Sequence, residues 1–349
     1  MRTEQIEQYL KQQGAGLQYV VVTHADVLVD HASGFSDIKH RIAVNPQTTM
    51  AAFSMTKTLT AIAVLQLVDT QRVRLDDQVS RYVTHPYDQN ITIKQLLDHT
   101  AGIPNPLPLS WIHLPHEHAS FNESAALNKV LSEKGNQKYV PGERYYYSNI
   151  GYWLLGRVIE KVTGEKYEQY VTRSIFKPLK IKPEELGFEI VNTKNHAHGY
   201  LEKYSLMNAV KGFLLDDWVW QEYEGGWLRI NDVYLNGPAF GGAIGSAGAF
   251  GRVLQDLLGE RSVLLSQAAK KLHFEQSENN VHEQIGMTLG WHVNEVSGTK
   301  YFYKEGGGAG FHSEMRIYPS KGIASVVMVN QTSFNSTKFL NQHDSEWLK

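Results

Sequence analysis

Cysteine is absent from all 349 residues of the sequence. This absence excludes disulfide bonds, thiol catalysis and metal sites with cysteine ligands. No stretch approaches 18 consecutive apolar residues, which excludes a membrane-spanning helix. The first fifteen residues are polar and predict an amphipathic helix, without the apolar core of a secretory signal peptide. We therefore expect a cytoplasmic protein, or a periplasmic or secreted one if a leader segment has been removed.

An excess of charge of either sign is also missing. The 34 lysine and arginine residues face 36 aspartate and glutamate residues, which gives a net charge of −2 without any long basic run. Nucleic acid and acidic membrane surfaces are therefore not expected partners. Hydrophobic residues at 42% and charged residues at 20% are typical of a globular protein with an ordinary core. The length predicts about two domains, or one large composite domain.

Strand-like runs lie near both ends of the chain, and helical patterns fill its middle. Residues 19–23 and 27–30 predict a β-hairpin, and the almost wholly apolar residues 54–69 predict a buried helix. Further strands are predicted at residues 289–295, 300–303, 314–318 and 323–330, and further helices at 151–162 and 335–349. Residues 93–97 predict the start of another helix, which stops at residues 100–102. This order predicts an α/β (α+β) fold, with an antiparallel sheet flanked by helices and built from both termini. We assign residues 1–75 and 240–349 to that domain and residues 76–239 to an inserted, mainly helical domain.

The first candidate for chemistry is the sequence Ser54-Met55-Thr56-Lys57. On a helix, positions three apart lie on one face, so the Ser54 hydroxyl and the Lys57 amine would be neighbours. Burial in an apolar helix disfavours the ammonium form of lysine, and an uncharged lysine can take the proton of a serine nucleophile. The structural alternative is a serine that caps the helix and a lysine that extends to water.

Two further motifs follow in the sequence. Tyr147-Ser148-Asn149 stands between a Pro-Gly turn and an amphipathic helical pattern, and Lys304-Glu305-Gly306 follows a short apolar strand. With the Ser54 motif they resemble the serine β-lactamase and penicillin-binding-protein family. The chain looks nearest to the class C-type branch, which also holds family VIII carboxylesterases and D-amino-acid peptidases. Residues 50–68, 75–82, 91–104 (ITIKQLLDHTAGIP) and 241–257 resemble this family as well. The resemblance implies a β-lactamase/transpeptidase-like fold.

The resemblance also implies a role for each motif residue. Ser54 would be the acylated nucleophile, Lys57 would hold the proton network, and Tyr147 would act first as general base and then as acid. A tyrosine with a pKa of about 10 can do so only if adjacent cations, here Lys57 and Lys304, stabilise its phenolate. The implied substrate-binding residues are Asn149, Lys304, Glu305, Gly306 and Gly307. Backbone N–H groups of Ser54 and Gly307 would form the oxyanion hole.

The implied function is that of a serine hydrolase with an acyl-enzyme on Ser54, no metal and no cofactor. Its substrate would be a small-molecule ester or amide, and we rank carboxylic ester hydrolysis first because of Glu305. Relatives that hydrolyse β-lactams carry threonine or serine there, and a carboxylate would repel carboxylate-bearing substrates. If Glu305 points away from Lys304 on its strand, this reason fails. The alternatives are a β-lactamase, a D-amino-acid amidase or peptidase, and a penicillin-binding module that is acylated without turnover. The oligomeric state stays open.

Two other patterns have structural as well as functional interpretations. His113, His116 and His118 have spacing that could bind zinc, but Pro115 interrupts any helix through them. We expect a solvated, histidine-rich loop over the cleft rather than a metal site. Residues 204–234 contain three of the seven tryptophans. They predict either a small separate core under a long loop or an aromatic wall beside the substrate.

Overall fold

The computed structural model of the protein describes residues 15–205, 208, 211 and 216–348. The predicted opening helix lies outside the described residues, except for Ala15. The strands in chain order are β1 (Leu17–Thr23), β2 (Val27–Ser33), β3 (Phe35–Asp37), β4 (Ile42–Ala43), β5 (Met50–Ala51), β6 (Ile112–His113), β7 (Leu186–Gly187), β8 (Tyr200–Glu202), β9 (Trp220–Glu224), β10 (Trp227–Ile230), β11 (Tyr234–Leu235), β12 (Ile244–Gly245), β13 (His292–Val296), β14 (Thr299–Gly308), β15 (Phe311–Tyr318) and β16 (Ile323–Val329). The α-helices in chain order are α1 (Thr56–Asp69), α2 (Ile93–Leu97), α3 (Glu123–Glu133), α4 (Asn149–Thr163), α5 (Tyr167–Val171), α6 (Pro238–Gly241), α7 (Ala247–Leu258), α8 (Gln267–Phe274) and α9 (Ser336–Asp344).

The main sheet has six strands in the order β13-β14-β15-β16-β1-β2, and every neighbouring pair is antiparallel. Strands from the two ends of the chain meet in it, since Leu17 of β1 lies opposite Val329 of β16. β1 is buried on both faces, which explains its uninterrupted apolar run. The prediction of an antiparallel sheet built from both termini is confirmed.

Helices cover both faces of this sheet. On one face α7 packs against β1 and β16, and Gly251 brings its backbone close to the side chains of Val20 and Val22. On the other face α9 packs against β1, where the rings of Phe339 and Tyr19 meet edge to face at 5.3 Å. Alternate residues of β1 therefore contact opposite helical layers, as the two-residue period of a strand requires.

Helix α1 runs through the main hydrophobic core. It begins at Thr56, directly after the 3₁₀ turn Phe53–Met55, and each of its residues from Thr56 to Leu65 is buried. The prediction of a buried helix is confirmed, with its start two residues later than expected. Among the residues that the structure describes, no helix is long and apolar enough to cross a membrane.

The middle of the chain contains more strand than its sequence pattern indicated. Helices α2 to α5 lie there, but so does a three-stranded antiparallel sheet in the order β8-β10-β9. The expectation of helices and loops alone is therefore incomplete. Gly225 and Gly226 form the two-residue turn between β9 and β10, and Gly225 has a φ of +64°. A Gly-Gly pair between aromatic runs is a hairpin signal. The division into two domains stays a prediction.

Candidate active site

Ser54 lies in a strained turn that leads into α1. Its neighbour Phe53 has a φ of +44°, in the left-handed region that residues with a β-carbon rarely adopt. Gly306 of β14 lies against this turn, where a β-carbon would come within 2.1 Å of the Ala52 carbonyl oxygen and 3.0 Å of the Ser54 nitrogen. A strained backbone of this kind persists only where its surroundings hold it. Strand β14 therefore fixes the position of Ser54 from one side.

Lys57 is fully buried one turn after Ser54. Its Nζ lies 2.9 Å from Ser54 Oγ, 2.7 Å from Asn149 Oδ1 and 2.6 Å from the Phe240 carbonyl oxygen. Burial, together with the nearby charge of Lys304, lowers the pKa of Lys57 well below its usual value. The alternative of a lysine that extends to water is therefore wrong. An uncharged amine would donate to the two carbonyl oxygens and keep its lone pair for the Ser54 hydroxyl.

The Tyr147 hydroxyl completes this group, with its oxygen 2.7 Å from Ser54 Oγ. We expected lysine cations to stabilise a phenolate here, but burial raises the pKa of Tyr147 above its usual value. The two lysines lie over the face of the ring, with Nζ at 4.9 Å (Lys57) and 5.4 Å (Lys304) from its centre. Both amines also have lowered pKa values, which reduces the positive charge that they offer to a phenolate. Tyr147 therefore rests as a neutral phenol.

Lys304 enters the site from β14 and is fully buried. Within the described part of the chain its Nζ has no hydrogen-bond partner, and it faces the rings of Tyr147 and Tyr152. Burial lowers the pKa of Lys304 to about 7. An unpartnered amine is costly to bury, which makes this lysine a candidate for contact with a substrate or an ordered water.

Asn149 is the first residue of α4. The preceding residue, Ser148, caps this helix by accepting a hydrogen bond from the Gly151 N–H at 3.1 Å. The Asn149 N–H donates to Asn105 Oδ1 at 3.0 Å, while Asn149 Oδ1 accepts from Lys57. The start of α4 thus places Asn149 beside Lys57. Asn149 also lines the cavity at Ser54.

Glu305 points away from these groups. Strand alternation puts the buried Lys304 opposite Met315 on one face, while Glu305 lies opposite Glu314 on the other. The Glu305 carboxylate is 2.7 Å from Nε2 of His312 and does not line the cavity at Ser54. The structure therefore brings together Ser54, Lys57, Tyr147, Asn149, Lys304, Gly306 and Gly307, and leaves Glu305 outside. The reason that ranked ester hydrolysis first on the basis of Glu305 fails.

A cavity of about 280 Å³ opens at Ser54. Its lining residues are Phe53, Ser54, Leu107, Pro108, Leu109, Ile112, Asn149, Leu201, Val219, Trp220, Ile230, Leu235, Phe240, Gly241, Gly307, Gly308, Ala309, Gly310 and Thr332. None of these described residues carries a charge. Ser54 and Gly307 share the cavity wall, as an oxyanion hole formed by their N–H groups would require.

The aromatic stretch at residues 204–234 supplies part of that wall. Val219, Trp220 and Ile230 line the cavity, and Val219 and Ile230 also pack with Leu201 and Leu228 in a small core of their own. Both interpretations of this stretch therefore describe part of the structure. Phe213, one of its aromatic residues, lies outside the described residues.

Two of the three histidines at 113–118, His113 and His118, pack against other side chains, whereas His116 is exposed. His113 is buried, with Nδ1 at 2.9 Å from Asn236 Oδ1 and Nε2 at 2.9 Å from Nδ1 of His118. Over the described residues, no group of acidic and histidine side chains is arranged to hold a metal ion. His113 and His118 border a larger cavity of about 820 Å³, but Ser54 does not line it. We therefore place the candidate site at the smaller cavity.

One residue near Tyr147 was not singled out from the sequence. The ring of His99 lies 4.4 Å from the Tyr147 ring, centre to centre, and His99 is buried. Its position within residues 91–104, a segment already similar to the family, was the available signal. Periodicity could not find it, because the contact joins a helix end to a loop almost fifty residues later.

Known proteins resemble this chain in both sequence and fold. A sequence profile of the Beta-lactamase family matches residues 3–344 of the chain. Among curated proteins, Protein flp of Staphylococcus aureus (strain MW2) is 33% identical over 193 residues, which cover 53% of this chain and 37% of that protein. The chain thus spans less than half the length of the curated relatives it matches.

Two solved structures show the same fold. The octameric penicillin-binding protein homologue from Pyrococcus abyssi has a TM-score of 0.79 at 22% identity, with 100% of this chain and 77% of that chain covered. The D-amino acid amidase from Ochrobactrum anthropi SV3, complexed with L-phenylalanine amide, has a TM-score of 0.79 at 18% identity, with 98% and 95% covered. Because the family profile spans nearly the whole chain and the fold agrees, this chain belongs to the Beta-lactamase family of β-lactamase-fold serine hydrolases.

Proposed function

We propose that this protein forms an acyl-enzyme on Ser54 and hydrolyses carboxylic esters with an apolar acyl group. The observation that carries the proposal is the uncharged cavity of about 280 Å³ at Ser54. An acyl chain bound there would bury its apolar surface and bring the ester carbonyl carbon to Ser54 Oγ. The aliphatic and aromatic walls at Ile112, Trp220 and Phe240 would hold the chain.

The contacts around Ser54 favour Lys57 as the proton acceptor. With its two N–H bonds directed at Asn149 and Phe240, the uncharged amine has its lone pair free for the serine hydroxyl. As Ser54 Oγ bonds to the carbonyl carbon, its proton passes to Nζ of Lys57. The carbonyl oxygen becomes an oxyanion, and the N–H groups of Ser54 and Gly307 are the candidate donors to it.

Tyr147 would act in the second half of the acylation step. Its neutral phenol donates a proton to the leaving alkoxide and regains one from the Lys57 ammonium, so the alcohol departs and Lys57 is uncharged again. Water then attacks the acyl carbonyl carbon and gives its proton along the same route. The carboxylic acid leaves, and the Ser54 hydroxyl is restored.

The cavity also favours neutral substrates over those that carry a carboxylate. A substrate carboxylate in it would lose its hydration and find no cation among the described lining residues. An unpaired charge in an apolar site is strongly disfavoured. This property of the cavity, and not Glu305, supports ranking neutral esters above carboxylate-bearing β-lactams.

Steady-state kinetics with p-nitrophenyl acetate, butyrate and octanoate, nitrocefin and D-phenylalanine amide test the proposal. We expect kcat/KM for the butyrate ester to exceed that for nitrocefin by about 100-fold or more. The Ser54→Ala variant should lose both turnover and the acyl adduct detected by intact-protein mass spectrometry. Ser132→Ala, which changes an exposed serine of α3, is the matched control and should keep both.

Two outcomes would contradict the proposal. Faster hydrolysis of nitrocefin or of D-phenylalanine amide than of every ester would indicate a β-lactamase or an amidase. An adduct on Ser54 that forms without turnover of any substrate would indicate a penicillin-binding module.

A further inference from the structure

We propose that His99 is a positioning residue that holds the Tyr147 hydroxyl against Ser54 Oγ, where it orients the serine towards Lys57 and later protonates the leaving group. His99 follows Asp98, the residue that caps the end of α2, in the segment 91–104 for which the family resemblance implies no role. It is 2% exposed, and its ring packs against the ring of Tyr147 at 4.4 Å and against that of Tyr152 at 4.9 Å, centre to centre. The catalytic phenol therefore has a fixed neighbour on one face of its ring.

Two hydrogen bonds that His99 accepts bracket Tyr147 along the chain. The Tyr146 N–H donates to the His99 carbonyl oxygen at 2.7 Å, and the Ser148 N–H donates to His99 Nδ1 at 3.2 Å. One residue thus binds the backbone on both sides of Tyr147. Rotation of this short loop would move the Tyr147 hydroxyl away from Ser54 Oγ, and an error of about 1 Å can cost about 100-fold in rate.

The second hydrogen bond requires an uncharged imidazole. Nδ1 can accept from Ser148 only when it carries no proton, so the ring proton resides on Nε2. Burial and the charges of Lys304, Lys57 and His292 hold the pKa of His99 well below its usual value. The acceptor at Nδ1 is therefore present at neutral pH.

The backbone of His99 determines which variants are informative. Its φ is +58°, which asparagine tolerates better than most residues and which glycine adopts freely. The Oδ1 of asparagine reaches about the place of Nδ1 and can accept from Ser148. Glycine keeps the backbone conformation and removes both the acceptor and the ring. His99→Asn and His99→Gly thus separate the contact from the conformation.

The rate at which a fluorophosphonate probe labels Ser54 tests the proposal, because labelling depends on the orientation of Ser54 Oγ, which the Tyr147 hydroxyl contacts at 2.7 Å. We expect His99→Gly to slow labelling by about 30-fold or more and His99→Asn to recover the rate to within about five-fold of the unchanged protein. In a Tyr147→Phe background, His99→Gly should change the rate less than about three-fold, since the group it positions is already absent. His85→Ala, which removes another buried histidine ring, should lower Tm without a comparable loss of labelling.

Equal losses for His99→Gly and His99→Asn would overturn the proposal, and so would the same loss in both Tyr147 backgrounds. Should His99→Gly fail to fold, His99→Gln takes its place, because its amide reaches the position of Nε2 instead of Nδ1. The probe carries no carboxylic ester. A failed ester panel would therefore refute the proposed substrate class and leave this comparison valid.

Discussion

Two lysines share the interior of the site without an acid to balance them. Lys57 and Lys304 are both fully buried, and within the described chain neither forms an ion pair with a carboxylate. Burial lowers both pKa values, and the charge of Lys304 lowers that of Lys57 further. The same burial keeps Tyr147 protonated. In the proposed mechanism these groups act as a neutral amine base and a neutral phenol acid, with no phenolate in the resting state.

Replacing Lys304 with methionine should stabilise the protein at pH 7. The folded protein holds the pKa of Lys304 at about 7, against 10.5 for an ordinary lysine. Between these values residue 304 binds more protons in the unfolded chain than in the folded protein. The free energy of unfolding therefore falls as pH decreases from 10 to 7, and the Lys304→Met variant lacks this pH dependence. The advantage of Lys304→Met should therefore shrink by about 1–3 kcal/mol from pH 7 to pH 9 in urea denaturation. An equal gain in stability from Lys304→Met at both pH values would contradict the low pKa of Lys304. Lys271→Met, at an exposed position, serves as the control.

The sequence was sufficient to predict which residues meet at the candidate site but not their protonation. Ser54 and Lys57 follow from a spacing of three, and Tyr147 from a motif with a recognisable flank. The state of Lys57 depends on Asn149 and on the Phe240 carbonyl, which are distant in the chain and meet it only in the folded core. The expectation of a phenolate failed because the depth at which Tyr147 is buried has no local signal.

At the scale of elements, strand β14 separates two adjacent charged residues. Lys304 faces the core beside Met315, while the next residue, Glu305, faces the layer of α9 and contacts His312. His312 Nε2 is also 3.1 Å from the hydroxyl of Ser336, at the start of α9. The two-residue period of a strand thus places the Lys304 side chain at the candidate site and the Glu305 side chain on the opposite face of the sheet.

Exchanging Glu305 for threonine should not change the choice between substrates. The side chain lies across the strand from the cavity, so kcat/KM for nitrocefin and for p-nitrophenyl butyrate should change by the same factor, within about two-fold. The ratio of the two constants is the quantity to measure. A selective gain of about ten-fold or more for nitrocefin would show that Glu305 reaches the substrate after all.

Element prediction succeeded where the apolar period was clean. The helix that starts at Ile93 begins as predicted and ends at Leu97, shortly before the predicted stop at residues 100–102, and the four late strands lie within a few residues of their predicted places. The hairpin β9–β10 is not predicted from the sequence, although Gly225-Gly226 marks its turn, because the aromatic residues on both sides form one continuous stretch in the sequence. β8, the third strand of the sheet that contains this hairpin, has three residues, too few for a detectable alternation of apolar and polar residues.

At the scale of the whole molecule, Asp344 of α9 joins both ends of the chain to the sheet. Its carboxylate accepts hydrogen bonds from the hydroxyls of Tyr19 and Tyr318, each at 2.8 Å, and of Ser325 at 2.6 Å. These residues belong to β1, β15 and β16. Asp344 is buried, on the face of the sheet opposite to Lys304.

Asp344→Ala should therefore destabilise the protein without changing the reaction. Three buried hydroxyls would lose their acceptor, and we expect the free energy of unfolding to fall by about 2–5 kcal/mol. Urea denaturation measures the loss, while the rate of Ser54 labelling in the folded fraction should stay within about two-fold. Glu133→Ala, at an exposed residue of α3, is the control. An unchanged denaturation midpoint for Asp344→Ala would show that α9 is held by its apolar contacts alone.

The pairing of β1 with β16 also determines when a newly synthesised chain can complete its candidate site. Leu17 pairs with Val329, so the ribosome must synthesise the chain as far as Val329 before the centre of the sheet can close. Until then, the apolar edge of β1 has no partner on that side and is open to wrong pairing. Contacts so distant in sequence slow folding. Because β14 brings Lys304 and Gly307 to Ser54, the candidate site can be complete only after the ribosome has passed β14 and the strands that pair with it.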